Sequence, residues 1–585
     1  MQQWLVENDC AGVLLTNSDE FLSEYTPPQK QRLRHFCGFT GSVGYAVITQ
    51  QECVLFVDGR YSVQAKVESA KYVDQILDYF KIDPLDWLTK QPSPSNTLVV
   101  DGACFSQSEK SSLLTISKAF SKNIKSLNLA DAFSPLKAIE QTSSPAPNSV
   151  FSIEGTEYYR SANEKLLAVC DEIKQSGADN VFTFCGQNVC WLLNIRGDAY
   201  PYSPEINAAA LISAKGEVDL FLAETQLAKT KEILSSYKTP TEINIFSFSS
   251  ISERIKALPE SAIVEVATET TPTLIFEESV AKYRAVRSVD FDALTKLRSR
   301  KVSKEIEGIQ EAHIYDGAAL CQFLYEFEKK YTEPQTEISL ADRLEEIRRK
   351  NAQLHSLSFP TISSAGPNSA INHYHPQIDL SNRTLEPDDV YLVDSGGQYI
   401  SGTTDVTRTV VHGTPTEKFK KSYSLVLKAH IALMLQRAPA GTIGFSLDAI
   451  ARRILWKEGF DFEHGTGHGV GQFLSVHELP YRITKFTGEQ KFYPGMVVSN
   501  EPGLYFEDEF GIRLENVIYF DPDESWLTPV ALTLAPFRTD YLIHDLLDYE
   551  EIDWLNSYHA RVMKTLTPLL SPEVKDWLKQ ATAAI

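Results

Sequence analysis

Four carboxylates and one histidine follow or flank short apolar runs between residues 390 and 516, and they constrain this chain more than any other feature. These residues are Asp394, Asp405, His468, Glu501 and Glu515. Runs such as VYLVD and MVVSNE have the composition of β-strands. Strands that pair side by side would bring the carboxylate oxygens to one point in the fold.

A buried group of four carboxylates needs cations, because desolvating bare carboxylates costs many kcal/mol. Oxygen ligands with one imidazole suit hard or borderline divalent ions such as Mn, Co, Fe or Zn, and cysteine takes no part. Two such ions about 3.5–4 Å apart, bridged by carboxylates and a water, form a hydrolytic site. The stretch therefore predicts a dinuclear metallohydrolase.

The sequence around these residues resembles that of the pita-bread metallopeptidases, which include methionine aminopeptidase, prolidase and aminopeptidase P. The segment HGTGHGVGQFLSVHE is similar to the aminopeptidase P branch in its long, three-domain form. The resemblance implies two metal ions per subunit with a hydroxide between them. Asp405 and Glu515 would bridge the ions. Asp394 would bind one ion, and His468 with Glu501 would complete the shell of the other.

The same resemblance implies catalytic roles beside the ligands. Glu501 is expected to take the proton of the water as well as to bind metal. His464, the first histidine of HGTGH, is expected to transfer protons. His373 in NHY and His477 in VHE match the remaining active-site histidines of the family. They are expected to donate hydrogen bonds to the substrate carbonyl or to the oxyanion.

Substrate contacts are also predicted from the resemblance. The predicted contacts are His373, His464, His477, Arg60 and Tyr374. Arg60 is included because FVDGRY is similar to a segment of the family's first domain whose arginine can reach toward bound substrate; a surface arginine in a turn is the alternative. Arg513 is predicted to orient the nearby Glu515 carboxylate or to stabilise charge.

The resemblance implies an Xaa-Pro aminopeptidase, which removes the N-terminal residue when the second residue is proline. Its pocket must accept a pyrrolidine ring, because the X–Pro bond has no N–H. Manganese is the expected metal, with zinc or cobalt as alternatives. The rival functions are a prolidase limited to dipeptides, a metal-free creatinase-like amidinohydrolase and a non-catalytic binding module. The filled ligand positions disfavour the last two, and the chain length with HGTGHGVG disfavours the first.

Length and composition limit the remaining possibilities. At 585 residues with 43% hydrophobic residues, the chain predicts several globular domains, and a net charge of −21 argues against a nucleic-acid partner. Eight scattered cysteines without a CxxC pair suit a reducing compartment. The N-terminal residues lack the pattern of a signal peptide, and no apolar run is long enough to predict a membrane span. A cytoplasmic enzyme without a membrane partner is expected.

The predicted fold class is α/β (α+β). Two similar α/β domains of the creatinase N-terminal type, at 1–145 and 146–297, are predicted because the order of strands and helices recurs. The pita-bread catalytic domain is placed at 298–540. A helical tail at 541–585 is predicted to pair two subunits in a homodimer, and a capping helix is the alternative.

Local signals place several elements inside these domains. The runs YAVIT and CVLFVDGRY predict two paired strands around the turn QQE. In the catalytic domain, helices are predicted around Lys418–Gln436 and Ser446–Gly459. Ser339, with Asp342 three residues later, predicts the start of another helix.

Overall fold

The computed structural model describes residues 1–58, 61–92, 95–119, 123–141, 149–237, 243–330, 333–376, 382–485 and 490–585. These residues divide into two compact units, Met1–Arg298 and Ser299–Ile585. The predicted boundary at residue 145 falls within 142–148, outside the described residues, and stays a prediction. Among the helices so described, none combines the length and the apolar character needed to cross a bilayer.

The first unit contains two six-stranded mixed sheets with the same topology. In spatial order, the first sheet consists of Gln75–Asp78, Cys53–Val57, Tyr45–Thr49, Gly12–Thr16, Thr97–Asp101 and Asn123–Leu127. The second consists of Ile243–Ser247, Val218–Leu222, Ala208–Ser213, Asn180–Thr183, Ile263–Ala267 and Ala285–Val289. Parallel and antiparallel pairings follow the same order in both sheets. The order of strands and helices that recurs in the sequence therefore corresponds to two domains with the same sheet topology.

Helices accompany both sheets of the first unit. Those of eight residues or more are Ser62–Ser69, Gln107–Ala119, Ser134–Gln141, Ala162–Ser176, Gly186–Leu193 and Glu224–Leu234. Local sequence sets the bounds of Ala162–Ser176. The Ser161 hydroxyl accepts the N–H of Glu164 at 3.2 Å, and the Glu164 carboxylate accepts the N–H of Ser161 at 2.8 Å. Gly177 then ends the helix in the left-handed region, at a φ of 76°.

The second unit is built on two antiparallel sheets whose strands are largely buried, flanked by long helices. The three-stranded sheet consists of Ile362–Ala365, Val390–Ser395 and Val406–Val411. The five-stranded sheet consists of Glu478–Ile483, Gly467–Gly469, Val497–Asn500, Asn516–Phe520 and Pro529–Ala531. The helices are Ser303–Lys329, Glu337–Arg348, Glu417–Leu435, Gly444–Trp456, Tyr549–Leu566 and Pro572–Ala581.

Smaller strand pairs complete the second unit. They are Leu354–Leu357 with Gly397–Tyr399 and Gly402–Thr403, Gly503–Phe506 with Phe510–Arg513, and Ala438–Pro439 with Trp526–Leu527. The C-terminal helices pack on the same apolar core as the sheets, with Leu555, Val562 and Leu578 fully buried in it. The predicted helical tail is thus part of this unit's core, and its proposed role in pairing subunits stays a prediction.

Arg408 joins the strand after Asp405 to the C-terminal helix Tyr549–Leu566. Its Nη1 donates to the carbonyl oxygen of Glu515 at 2.6 Å, and its Nη2 donates to the Tyr558 hydroxyl at 3.2 Å. Further hydrogen bonds go to the carbonyl oxygens of Thr407, Ala535 and Pro536. Because an arginine fork can satisfy several acceptors at once, one buried side chain fixes three separate segments.

Burial lowers the pKa of four histidines in the second unit, and His313 and His559 are two of them. Burial lowers the pKa of both His313 and His559 to about 4. His559 Nε2 accepts the N–H of Phe537 at 3.1 Å, so a proton on this nitrogen would remove the acceptor. His313 Nδ1 lies 2.8 Å from the carbonyl oxygen of Ile309.

We expect the protein to lose stability as the pH falls from about 6.5 toward 4. A histidine whose pKa is lower in the folded state stabilises the fold above the unfolded pKa, and this contribution disappears as the pH falls to the folded pKa. The loss should be on the order of 2–3 kcal/mol for each histidine. In urea titrations across this range, His559→Gln should flatten the pH dependence of the midpoint, whereas the exposed control His544→Gln should not. An unchanged slope in His559→Gln would contradict a neutral His559.

Candidate metal centre

The first two predicted ligands come from one pair of antiparallel strands. Asp394 lies near the end of Val390–Ser395, and Asp405 immediately precedes Val406–Val411. In this ladder Asp394 is paired with Thr407. The chain between the two aspartates contains Gly396, Gly397 and Gly402, and it returns so that both carboxylates lie at the same end of the sheet.

The other three ligands come from the five-stranded sheet. His468 is the middle residue of Gly467–Gly469, and Glu501 follows Val497–Asn500 directly. Glu515 immediately precedes the next strand of this sheet. The two sheets are tied together beside the ligands, where a threonine hydroxyl of the first sheet donates to Glu515 Oε2 at 2.6 Å.

Side-chain atoms of four of the five predicted ligands lie close together. His468 Nε2 lies 3.4 Å from Asp405 Oδ2 and 3.5 Å from Glu501 Oε1. One ligand atom each of Asp405, His468 and Glu515 lies within 4.8 Å of the others. His468 Nδ1 is 2.9 Å from the carbonyl oxygen of Gly469. Since that carbonyl can only accept, Nδ1 carries the proton and Nε2 is left to coordinate an ion.

The crowded carboxylates explain why this site needs positive charge. Desolvation, with the charges of Asp394 and Glu501, raises the pKa of Asp405 well above its usual range. Desolvation and the charge of Asp405 raise the pKa of Glu515 in the same way. Among the described residues, no donor reaches the buried Asp394 Oδ1. Oxygen acceptors with one imidazole and an unpaired carboxylate oxygen fit divalent ions.

Arg513 contacts Asp394 rather than Glu515. Its Nη2 donates to Asp394 Oδ2 at 2.7 Å, and its Nη1 donates to the Tyr505 hydroxyl at 2.9 Å. The link to Glu515 is indirect, because Nε donates to Thr407 Oγ1 at 3.2 Å and this hydroxyl donates to Glu515. Arg513 thus reaches Glu515 only through Thr407, and its ion pair with Asp394 fits the predicted stabilisation of charge.

His464 lies beside the ligand cluster on an irregular segment. Its Nε2 is 2.8 Å from the Tyr505 hydroxyl, and its Nδ1 is 4.0 Å from Glu501 Oε2. The segment is not helical, as its glycines predict. At Gly467 a Cβ atom would lie 2.0 Å from the carbonyl oxygen of Ser499, so this close approach of strands requires glycine.

Sequence reasoning missed Tyr505 and His375. Tyr505 bonds both His464 and Arg513, and burial raises its pKa to about 12. A tyrosine in GLYF carries no spacing signal, and only the hairpin geometry brings it here. Burial lowers the pKa of His375 to about 4, against the opposing charge of Asp394. The sequence signal that could have indicated His375 is its position two residues after His373, in the segment HYHP.

The other predicted histidines are half-buried and differ in their surroundings. The His477 ring lies 4.3 Å from the His468 ring, centroid to centroid, at an interplanar angle of 90°. His373 lies in the segment that follows the short helix Gly366–Ala370. The structure therefore brings His477 directly to the ligand cluster.

Tyr374 is a buried residue whose hydroxyl bonds within the fold. It is 6% exposed, and its hydroxyl donates to Glu337 Oε2 at 2.5 Å. Glu337 also accepts the N–H groups of Ala365 and Arg383, so its carboxylate fastens the segment that carries His373. The hydroxyl of Tyr374 is used within the fold. Arg60 lies outside the described residues, and its substrate contact stays a prediction.

Comparison with known proteins places this site in a family. The sequence model of metallopeptidase family M24 matches residues 307–522, and that of its C-terminal region matches 525–585. Models of the creatinase/prolidase N-terminal domain match 1–132 and 141–305. A probable Xaa-Pro aminopeptidase P of Laccaria bicolor is 32% identical over 99% of this chain and 92% of its own. The chain belongs to metallopeptidase family M24, in its aminopeptidase P branch.

Solved structures agree with the aminopeptidase P branch. The X-prolyl aminopeptidase of Caenorhabditis elegans, described as a cytosolic enzyme with a di-nuclear active site, matches with a TM-score of 0.89 and 31% identity. That match covers 98% of this chain and 95% of the other. The prolidase of Pyrococcus horikoshii matches with a TM-score of 0.51 and 28% identity over 64% of this chain and 99% of its own. The predicted fold of two creatinase N-terminal-like domains and a pita-bread domain is confirmed, and the prolidase alternative is disfavoured.

Proposed function

We propose that this chain hydrolyses the bond between an N-terminal residue and a following proline at two divalent metal ions. The proposed ligands are Asp394, Asp405, His468, Glu501 and Glu515. The proposal is carried by the approach of His468 Nε2 to Asp405 and Glu501, at 3.4 and 3.5 Å. Divalent ions at such a site polarise the scissile carbonyl and lower the pKa of water.

Proton transfer is assigned to Glu501 and His464. Glu501 Oε1 accepts the Ser499 hydroxyl at 2.9 Å, which holds this carboxylate. His464 Nδ1 donates to the carbonyl oxygen of Gly465 at 2.7 Å and lies 4.0 Å from Glu501 Oε2. Tyr505 holds His464 from the opposite ring nitrogen. Both residues thus have fixed orientations at the edge of the ligand cluster, as proton transfer requires.

Hydrogen bonds to the substrate carbonyl or to the oxyanion are assigned to His373 and His477. His477 is supported by its perpendicular packing on His468, which sets its distance from the ligands. Fixed donors of this kind stabilise developing negative charge without reorganisation. Arg60 and Tyr374 are retained as proposed substrate contacts, and the hydroxyl of Tyr374 also supports the segment of His373 through Glu337.

Metal identity, assembly and location complete the proposal. Manganese is proposed, with zinc or cobalt as alternatives, because the oxygen-rich ligand set accepts all three. A homodimer that pairs through residues 541–585 is proposed. A cytoplasmic location is supported by the eight cysteines, all described and none in a disulfide, and by the cytosolic relative from C. elegans.

We expect metal-restored release of free arginine from Arg-Pro-Pro, and no cleavage of Arg-Ala-Ala or of the dipeptide Ala-Pro. The protein would be stripped of metal, assayed, and assayed again after addition of Mn²⁺. Cleavage of Ala-Pro alone would indicate a prolidase. Failure to cleave any of the three with any divalent ion would favour a non-catalytic binding module.

A further inference from the structure

Arg452 is a fully buried arginine that forms hydrogen bonds to the segment carrying His464. It lies on the helix Gly444–Trp456, and its side chain is 0% exposed. The guanidinium donates hydrogen bonds of 2.5–2.7 Å to Asp448 Oδ2, Asp461 Oδ1, the carbonyl of Phe462 and the carbonyl of His464. One side chain therefore holds three positions of the segment 461–466 to a single helix.

Two further contacts tighten this arrangement around the histidine. Asp448 Oδ1 accepts the Thr466 hydroxyl at 2.7 Å, which anchors the far end of the segment to the same helix. The guanidinium carbon of Arg452 lies 3.7 Å from the centroid of the Phe462 ring. The Phe462 ring in turn lies 4.8 Å from the His464 ring. The imidazole is thus backed by an aromatic ring that the arginine fixes.

The segment needs such a support because its own sequence supplies little rigidity. It is neither helix nor strand. Gly465 comes directly after His464, and Gly467 lies three residues after it. Glycines carry the largest conformational entropy in the unfolded chain, and irregular backbone lacks the hydrogen bonds of a ladder. A planar guanidinium can bind two carboxylates and two carbonyls in one geometry, which an ammonium cannot reproduce.

We propose that Arg452 is a positioning residue for proton transfer, which holds His464 in its orientation through the backbone of 461–466. This inference rests on the proposed function of His464. Among the described contacts, Arg452 bonds to none of the five predicted metal ligands, so its effect on the reaction passes through the segment. Loss of the hydrogen bonds of the Arg452 guanidinium should increase the mobility of His464 and leave the predicted metal ligands in place.

The test compares Arg452→Lys with Arg453→Lys, the adjacent exposed arginine of the same helix. Arg452→Lys should lower kcat by about 10–100-fold with unchanged metal content and little change in KM. It should also speed backbone hydrogen exchange in peptides that cover 461–467. Arg453→Lys should change neither property. When His464 has already been replaced by glutamine, Arg452→Lys should lower kcat by less than about a further 2-fold. The effects of two residues that act through one group are not additive.

Full additivity of the two substitutions, or unchanged hydrogen exchange in Arg452→Lys, would overturn the inference. If Arg452→Lys does not fold, Asp461→Ala removes one acceptor of the guanidinium at an exposed position, and the same two readouts apply. The two proposals fail separately. Full activity in His464→Gln would refute the role of His464, whereas the exchange rates would still report whether Arg452 holds the segment.

Discussion

Replacement of Asp405 by asparagine will abolish metal binding and activity, yet it will stabilise the metal-stripped protein. Asp405 Oδ2 lies 3.4 Å from His468 Nε2, and its carboxylate is a proposed metal ligand. We expect kcat/KM to fall by about 10³-fold or more, which is about 4 kcal/mol of transition-state stabilisation. Metal content would be measured by elemental analysis, and activity on Arg-Pro-Pro.

The metal-free protein should become more stable in Asp405→Asn because the substitution removes one negative charge from the crowded carboxylates. The raised pKa of Asp405, caused by desolvation and by neighbouring carboxylates, means that the fold disfavours its ionised form when no cation is bound. An uncharged amide removes that penalty, so the melting temperature without metal should rise by about 2–4 °C. Added Mn²⁺ should raise the melting temperature of the wild type and leave Asp405→Asn unchanged. Asp553→Asn, at an exposed helix position, serves as the matched control.

A wild-type level of bound metal in Asp405→Asn would remove this residue from the ligand set. A lower melting temperature of the stripped variant would show that the aspartate makes compensating contacts that outweigh repulsion. Either result would require a different arrangement of the carboxylates.

Substitution of His464 by glutamine will separate proton transfer from metal binding. His464 Nδ1 is 4.0 Å from Glu501 Oε2, whereas His468 Nε2 is 3.5 Å from Glu501 Oε1 and 3.4 Å from Asp405. We expect His464→Gln to keep its metal and to lose about 10²–10⁴-fold in kcat, the range of general acid–base catalysis. His468→Gln should instead lose metal together with activity.

The control for these substitutions is His544→Gln, since His544 is exposed and lies outside the site. Metal content by elemental analysis and kcat on Arg-Pro-Pro would be measured on the same preparations. Loss of metal from His464→Gln would reassign this histidine as a ligand, and unchanged kcat would remove it from the reaction.

Local patterns in the sequence predict most of the elements that position the site. The paired strands around QQE are present as Tyr45–Thr49 and Cys53–Val57. The helices predicted around Lys418–Gln436 and Ser446–Gly459 are Glu417–Leu435 and Gly444–Trp456. Apolar periodicity and turn residues lie within a few positions of these elements, so the chain itself carries the information.

Contacts between distant elements were the part that local patterns could not supply. One local signal was shifted as well, since the helix expected to start at Ser339 begins at Glu337, where Thr336 forms the cap and Ser339 completes its capping box. Tyr505 reaches both His464 and Arg513 only through the pairing of a hairpin. The partner of Arg513 depends on how two sheets meet, and no residue spacing expresses that geometry.

Arg408 makes the catalytic unit indivisible. Its fork binds the carbonyl of Glu515 with one nitrogen and the hydroxyl of Tyr558 with the other. The sequence models divide this region after residue 522, but the hydrogen bonds cross that division. A chain cut before the last helices would lose the Tyr558 hydroxyl, one acceptor of the buried Arg408 guanidinium, together with the apolar side chains that these helices bury in the core. The C-terminal helices are therefore expected to fold as one unit with the strands that carry the predicted ligands.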